Sequence, residues 1–369
     1  MPEKILRSGI TTGTCAAAAA KAAVLAWLGQ PADTVEVTLP RGSSITVPVA
    51  ANWATDGGGG ASVVKDAGDD PDITNGVTIT VTVVVTPANE IVIKAGPGVG
   101  TVTKPGLAVP PGEPAVNPVP RRMIVLAARE VLPAGHGAEI TIAIPDGERL
   151  ARRTLNPSLG IIGGLSIIGT TGIVEPMSEE AFKSSLAPQI SVVKSLGYER
   201  IVFVPGKIGQ DIAVKRYGLP ADAVVQTSNF VGYMLERAVD YGIGEVLLFG
   251  HLGKIAKVAA GVFHTHNRIA DARLETLAAH AAAAGAPQQA VSLLLECTTT
   301  EAAMPIIERY GLTGIYGRIA ERASVRAVRY VFGDLAVGTV IVSMTGEILG
   351  LDDAARKIGG CLGWNIESL

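Results

Sequence analysis

The hydrophobic rhythm of the chain changes part-way along it, and that change constrains the fold more than any single motif does. In the first half apolar and polar residues alternate. VEVTLP and SITVPV flank the turn Arg41-Gly42 and read as a hairpin, and GVTITVTVVVTP with EIVIKAG reads as a second alternating pair. From about Phe182 the runs RIVFVP, AVVQ and EVLLFG are continuously apolar. They alternate with helical stretches over 209–217, 230–241 and 254–263. Period-two alternation suits an antiparallel sheet with one wet face, whereas apolar runs between helices suit a parallel sheet covered on both faces. The expected fold class is therefore α/β and α+β. An N-terminal α+β domain with a mostly antiparallel sheet spans 1–155, a Gly/Thr-rich crossover segment spans 156–180, and a C-terminal doubly wound, Rossmann-like α/β domain spans 181–369. A chain of 369 residues is long enough to bury two such cores.

Further helices are expected over 14–28, 121–132, 269–284, 300–310 and 314–331. The first has Thr12 or Thr14 as its cap and Gly29 with Pro31 as its end. Strands are expected around 139–144 and at VGTVIVSM near the C-terminus.

Charge and cysteine usage narrow the partners. A formal net charge of -3 lacks the basic excess of a nucleic-acid binder. Three scattered cysteines form neither a disulfide framework nor a zinc pattern, so reduced thiols and a cytoplasmic location are the natural reading. Lys4 and Arg7 precede CAAAAAKAAVLAWLG, which has the outline of a signal peptide. Lys21 interrupts its apolar core, so a packed helix is expected instead. No stretch of about 20 apolar residues runs free of charge and glycine, so no membrane partner is expected.

Five segments offer chemistry. NPSLGIIGGLSIIGTTGIVEP at 156–176 carries Gly163, Gly164, Gly169 and Gly172 with Thr170 and Thr171. Its glycines let a ligand approach the backbone, or they serve only the packing of a crossover hairpin. It holds neither a dinucleotide fingerprint nor a P-loop. Gly250-His251-Leu252-Gly253-Lys254 follows a predicted parallel strand, at the edge where open α/β sheets bind ligands. The start of the next helix and Lys254 together favour an anion there. PGKIGQD at 205–211 is placed in the same way after RIVFV. His264 and His266 either contact a ligand or end that helix, and no third ligand at a metal-site spacing accompanies them. Asp69, Asp70 and Asp72 sit among turn formers and read as a structured loop or a substrate contact. In RSGITTGTCAAAAAK at 7–21, threonines and glycines precede the start of the first helix, where an anion could rest on the amides. Cys15 is either a nucleophile or a buried inert thiol. No G-x-S-x-G elbow, H-E-x-x-H or kinase signature is present.

Longer blocks are more specific than these motifs. TTGTCAAAAAKAA, DDPDITNG, GVGTVTKPGL, GEPAVNPVPRRMI, NPSLGIIGGLSIIGTTGIVEPMS, VPGKIGQ and GHLGKIAKVAAGVFHTH occur in one order. Together they resemble the CbiD family, cobalt-precorrin-5B C1-methyltransferases of anaerobic cobalamin biosynthesis. The pattern departs from the family at Ser8 and Ile10.

The resemblance implies methyl transfer from S-adenosylmethionine to C1 of cobalt-precorrin-5B, giving cobalt-precorrin-6A. It also implies a fold other than the usual tetrapyrrole-methylase fold. The cobalt travels with the substrate, and no protein metal site is expected. Such a reaction needs alignment more than a side-chain nucleophile, and glycine-rich loops suit that task. A carboxylate-decorated macrocycle needs cations, which Arg121, Arg122, Lys254, Lys257, Arg268 and Arg273 supply.

The expected cofactor contacts are Gly163, Gly164, Gly169, Thr170, Thr171, Gly172, Gly250 and Gly253. The expected substrate contacts are Lys254, His251, Arg121, Arg122, Asp70 and His264. Bulky replacement of Gly164 or Gly169 is expected to abolish cofactor binding while the fold survives. A small-molecule phosphotransferase and a non-catalytic tetrapyrrole carrier are the alternative classes, and a homo-oligomer stays open.

Overall fold

A computed structural model describes residues 6–364, which leaves Lys4 outside the described residues. The chain divides into two units, Met1–Ala181 and Phe182–Leu369.

In the N-terminal unit a two-residue strand β1 (Gly9–Ile10) leads into α1 (Thr12–Trp27), which starts two residues earlier than its sequence suggests. Thr11 is the cap, not Thr12 or Thr14: its Oγ1 accepts the Thr14 amide at 3.2 Å. Thirteen of the sixteen residues of α1 are buried, most of them alanine. The helix is inside the protein, as its lysine-broken apolar run implies.

β2 (Thr34–Thr38) and β3 (Ser44–Pro48) form the expected hairpin, with Val35 opposite Val47. Next come β4 (Ala51–Thr55), β5 (Gly58–Val64), β6 (Thr78–Thr86) and β7 (Ile91–Ala95), then the short β8 (Gly98–Val99) and β9 (Thr101–Val102). α2 (Pro118–Arg129) begins on a proline, which suits a first helical position, and so starts before Arg121. β10 (Gly137–Ala143), α3 (Gly147–Ala151), β11 (Ile161–Ile162), β12 (Gly164–Leu165) and β13 (Ile173–Val174) complete the unit.

The main sheet has the order β4-β5-β6-β10-β7. It is antiparallel except for β10 on β7. β6 and β7, expected as a pair, are therefore not neighbours. β10 lies between them, with Ile140 opposite Val83 on one side and Ile93 on the other. Ile140 and Ile142 are fully buried, and the insertion gives each an apolar neighbour on both flanks.

β5 was not expected as a strand at all, because glycine is a poor strand former. Its glycines serve the packing above it. A Cβ on Gly59 would lie 2.3 Å from the carbonyl oxygen of Ala23. Alanine on the helix and glycine on the strand let α1 rest almost directly on the sheet backbone.

α4 (Glu179–Leu186) contains the division between the units, and α5 (Pro188–Ser195) follows it. The C-terminal unit continues with β14 (Arg200–Val204), α6 (Lys207–Asp211), β15 (Val224–Gln226), α7 (Val231–Asp240), β16 (Glu245–His251) and α8 (Leu252–Ala260). Four helices come next: α9 (Arg273–Ala283), α10 (Gln288–Glu296), α11 (Thr300–Arg309) and α12 (Ile315–Tyr330). β17 (Ala336–Val342), β18 (Ile348–Leu351) and α13 (Asp353–Cys361) close the unit.

Its sheet has the order β15-β14-β16-β17-β18, with every pair parallel except β17 on β18. One face of it buries Val202, Val204, Leu247, Phe249 and Val340. The helix expected over 209–217 is α6 continued by a π-helical turn over Ile212–Arg216. No helix among the described residues is long and apolar enough to cross a membrane.

Candidate functional site

The Gly/Thr-rich crossover is woven into the N-terminal unit. β11 pairs with β9, β12 with β8 and β13 with β1. Its other partners are the cap and first turn of α1. The Ile168 amide donates to Thr12 Oγ1 at 2.8 Å, and the Thr14 hydroxyl donates to the Gly172 carbonyl at 2.6 Å. The Gly13 amide donates to the Ile168 carbonyl at 3.0 Å, and the Thr11 amide to the Gly172 carbonyl at 3.1 Å. Carbonyl dipoles of the crossover thus occupy the amides at the start of α1. The anion site expected there is filled by the protein's own backbone.

These contacts correct the expectation that Gly164 and Gly169 tolerate bulk. A Cβ on Gly164 would lie 2.0 Å from the Gly98 carbonyl oxygen, and one on Gly169 would lie 2.4 Å from Thr11 Oγ1. Gly169 and Gly172 also hold left-handed φ values of 132° and 83°. Thr171 is used locally, donating to the Ile173 carbonyl at 3.0 Å. The outward face differs. Ile162, Gly163, Ile168 and Thr170 are exposed, and Gly163 has open space around its Cα. Arg122 is exposed on α2, while Arg121 pairs with Glu113 at 3.2 Å.

Asp70 and its neighbours hold loops. Asp70 Oδ1 accepts the Met177 amide at 2.8 Å, and Asp69 accepts the Arg7 amide at 2.8 Å. Asp72 pairs at 2.6 Å with Lys65, whose side chain is 1% exposed. Cys15 is fully buried and burial pushes its thiol up to about 12, the environment of a packed thiol rather than of a nucleophile.

In the C-terminal unit the second and third sequence segments come together. The strand order reverses between β14 and β16, and their carboxyl ends carry Pro205-Gly206 and Gly250-His251. A Cβ on Gly250 would stand 3.1 Å from the Pro205 ring, so glycine allows this close approach. α8 starts at Leu252 with His251 as its cap residue. Lys254, in its first turn, donates to Asn229 Oδ1 at 2.5 Å and to the Thr265 carbonyl at 3.2 Å.

Lys257, 1% exposed, donates to the same Thr265 carbonyl at 3.2 Å, to Asn267 Oδ1 at 2.6 Å and to the Ala270 carbonyl at 2.9 Å. Two ammonium groups therefore share one carbonyl, and each is held by neutral oxygens. Burial, then the neighbouring Lys257 and Arg273, hold Lys254 below the ordinary lysine range. Burial lowers Lys257 and also His251. His251 Nδ1 and Thr265 Oγ1 are buried and make no hydrogen bond among the described residues. Such a set attracts an anion, because an added negative charge relieves the repulsion between the lysines.

His264 and His266 do not end α8. Gly261 does, at φ 90°. His264 lies beyond it in a bridge to Phe230, with ring centroids 4.9 Å apart. His266 Nδ1 accepts the Arg268 amide at 3.2 Å. No group of three or more His, Cys, Asp or Glu able to hold a metal occurs among the described residues. Sequence reading missed Asn229, Thr265 and Asn267. The available signal was the position of Thr227-Ser228-Asn229 just after a predicted strand, where Ser228 takes a left-handed φ of 51°.

Comparison with known proteins agrees along the chain. The family described as CbiD matches residues 1–176, and CbiD, C-terminal domain, matches residues 264–353. A cobalt-precorrin-5B C(1)-methyltransferase of Moorella thermoacetica is 53% identical over 98% of this chain and 99% of its own. One of Desulfitobacterium hafniense is 47% identical over 96% of this chain and 92% of its own. A crystal structure described as a cobalamin biosynthesis protein (cbiD) from Archaeoglobus fulgidus is 30% identical, covers 72% of this chain and 83% of its own, and has a TM-score of 0.40.

Proposed function

The chain belongs to the CbiD family, and from that premise we propose that it methylates C1 of cobalt-precorrin-5B to give cobalt-precorrin-6A. The observation that carries this reading is the 53% identity to a protein of that name over 98% of the chain. The methyl donor in this reading is S-adenosylmethionine, the cobalt arrives with the macrocycle, and the reaction runs in the cytoplasm.

The donor would supply a methyl group on a sulfonium: C1 would bond to the methyl carbon as the carbon–sulfur bond breaks in line and the neutral thioether leaves. The protein's share is alignment and exclusion of water, worth roughly 7–11 kcal/mol of the barrier in well-oriented systems. We read the C-terminal unit as Rossmann-like, with its ligand at the carboxyl ends of β14 and β16 where the strand order reverses. Gly250 and Gly253 let the backbone come close there. Lys254 pairs with a ligand carboxylate, and burial keeps His251 neutral beside it.

In the N-terminal unit the exposed Ile162, Gly163, Ile168 and Thr170 present an apolar and hydroxyl surface to the macrocycle, and Arg121 and Arg122 meet its acidic side chains. Gly164, Gly169 and Gly172 act by shaping that surface. Asp70 acts by holding the chain at Met177.

The test is to incubate the protein with methyl-labelled S-adenosylmethionine and cobalt-precorrin-5B and to locate the label. Label at C1 is expected. Macrocycle binding without transfer would indicate a carrier instead, and ATP binding without S-adenosylmethionine binding would indicate a phosphotransferase. Lys254→Ala should weaken one ligand by roughly tenfold or more, the worth of a charge-assisted hydrogen bond. Unchanged affinity for both ligands would remove Lys254 from the site.

A further inference from the structure

One face of α12 is unpartnered, and its pattern is that of a helix that packs on another helix. Arg318, Glu321, Val325, Val328 and Arg329 fall at spacings of three, four and seven. At 100° per residue they form one stripe about 100° wide. The stripe lines a groove of about 1040 Å³ whose second wall is residues 352–354. Phe332, just past the helix end, is 93% exposed and Val325 is 44% exposed. Phe332 closes the helix with a left-handed φ of 56°, its amide donating to the Arg329 carbonyl at 3.2 Å. Arg318, Glu321 and Arg329 are exposed.

We infer that this stripe is the contact through which two copies of the chain pair, α12 against α12 and antiparallel, about a two-fold axis at Val325. The charge order carries the choice of partner. In such a pair residue 325+k faces residue 325−k, so Val325 meets Val325 and Glu321 meets Arg329, the latter twice. By the same rule Val328 meets the aliphatic stem of Arg322, again twice. A two-fold contact requires the same patch to complement itself, and Glu321 with Arg329 does so about an axis at Val325. The helix of 16 residues gives a contact about 24 Å long, and the groove beside it admits the flank of the second helix.

The test is sedimentation of the full chain at micromolar concentration, with circular dichroism to confirm folding of each variant. The wild type should be a dimer. Glu321→Arg and Arg329→Glu should each raise the dimer dissociation constant roughly tenfold or more, since each replaces attraction by like-charge repulsion on both sides of the axis. The double exchange Glu321→Arg with Arg329→Glu should restore it. Val325→Glu should give monomer. A wild-type monomer would overturn the inference and would indicate that another part of the chain covers this face in solution. So would a dimer unmoved by the single charge reversals, which would place the contact elsewhere.

Discussion

A methyl group added to Gly164 points at the Gly98 carbonyl oxygen 2.0 Å away, whereas one added to Gly163 meets nothing within 4 Å. Adjacent glycines therefore have unlike reasons to be glycine. Gly164→Ala should lower unfolding stability by about 2 kcal/mol or more through overpacking. Gly163→Ala should cost about 1 kcal/mol, the strain of a left-handed φ of 88°. Urea unfolding of the two variants checks the contrast, and equal losses would contradict the packing described. A second residue-level outcome concerns acid. Burial holds the His251 imidazole below its ordinary value, so the folded state binds fewer protons than the unfolded chain. Stability from this group is complete above the ordinary imidazole value of about 6.5 and falls as pH drops below it. His251→Gln should flatten the decline in melting temperature between pH 6.5 and 5. A part of that slope should persist, because burial lowers His280 with the same sign.

Among the elements, the start of α1 is where chain order and chemistry meet most closely. Thr12 and Thr14 both bond to the crossover backbone, and neither caps the helix. Thr12→Val with Thr14→Val should cost about 2 kcal/mol, near 1 for each lost bond, and should speed hydrogen exchange at the Ile168 amide. Exchange unchanged at Ile168 would mean that the clamp does not hold the crossover. Elements with a clear period were legible in the sequence: the β2–β3 hairpin, β14, β16 and α8 all follow their patterns. β5 was hidden by its own glycines, and the β6–β10–β7 order was hidden because the pairing depends on a strand about fifty residues further on. The strand-end loop at Gly250–Lys254 was legible from its position after EVLLFG. The oxygens that hold its lysines come from Asn229, Thr265 and Asn267, which only the fold brings near.

For the whole molecule, each unit encloses its own core. The cluster from Ile10 to Ile167 lies wholly in the first unit, and the cluster from Val202 to Trp364 lies wholly in the second. Residues 1–181 and 182–369 produced as separate chains should therefore each unfold cooperatively. A broad, non-cooperative melt of either piece would show that its core is incomplete alone. The change in hydrophobic period announced two kinds of sheet, and of the two five-stranded sheets one is mostly antiparallel and one mostly parallel. The position of the crossover was the less legible part. Its glycines and threonines read in sequence as a crossover segment separate from both domains, yet they are strand-paired into the first unit.

The fit of α1 on β5 has a consequence for anyone who reads tolerance maps of this protein. Between Ala23 and Gly59 no atom can be added, so variation there runs in one direction only. A saturation screen would score this helix and strand as intolerant at nearly every buried position and would rank them above groups such as Arg122 that stand in solvent. Ranking by intolerance alone would then point at an interior seam, where the scarce resource is space, and away from the solvent-facing surface.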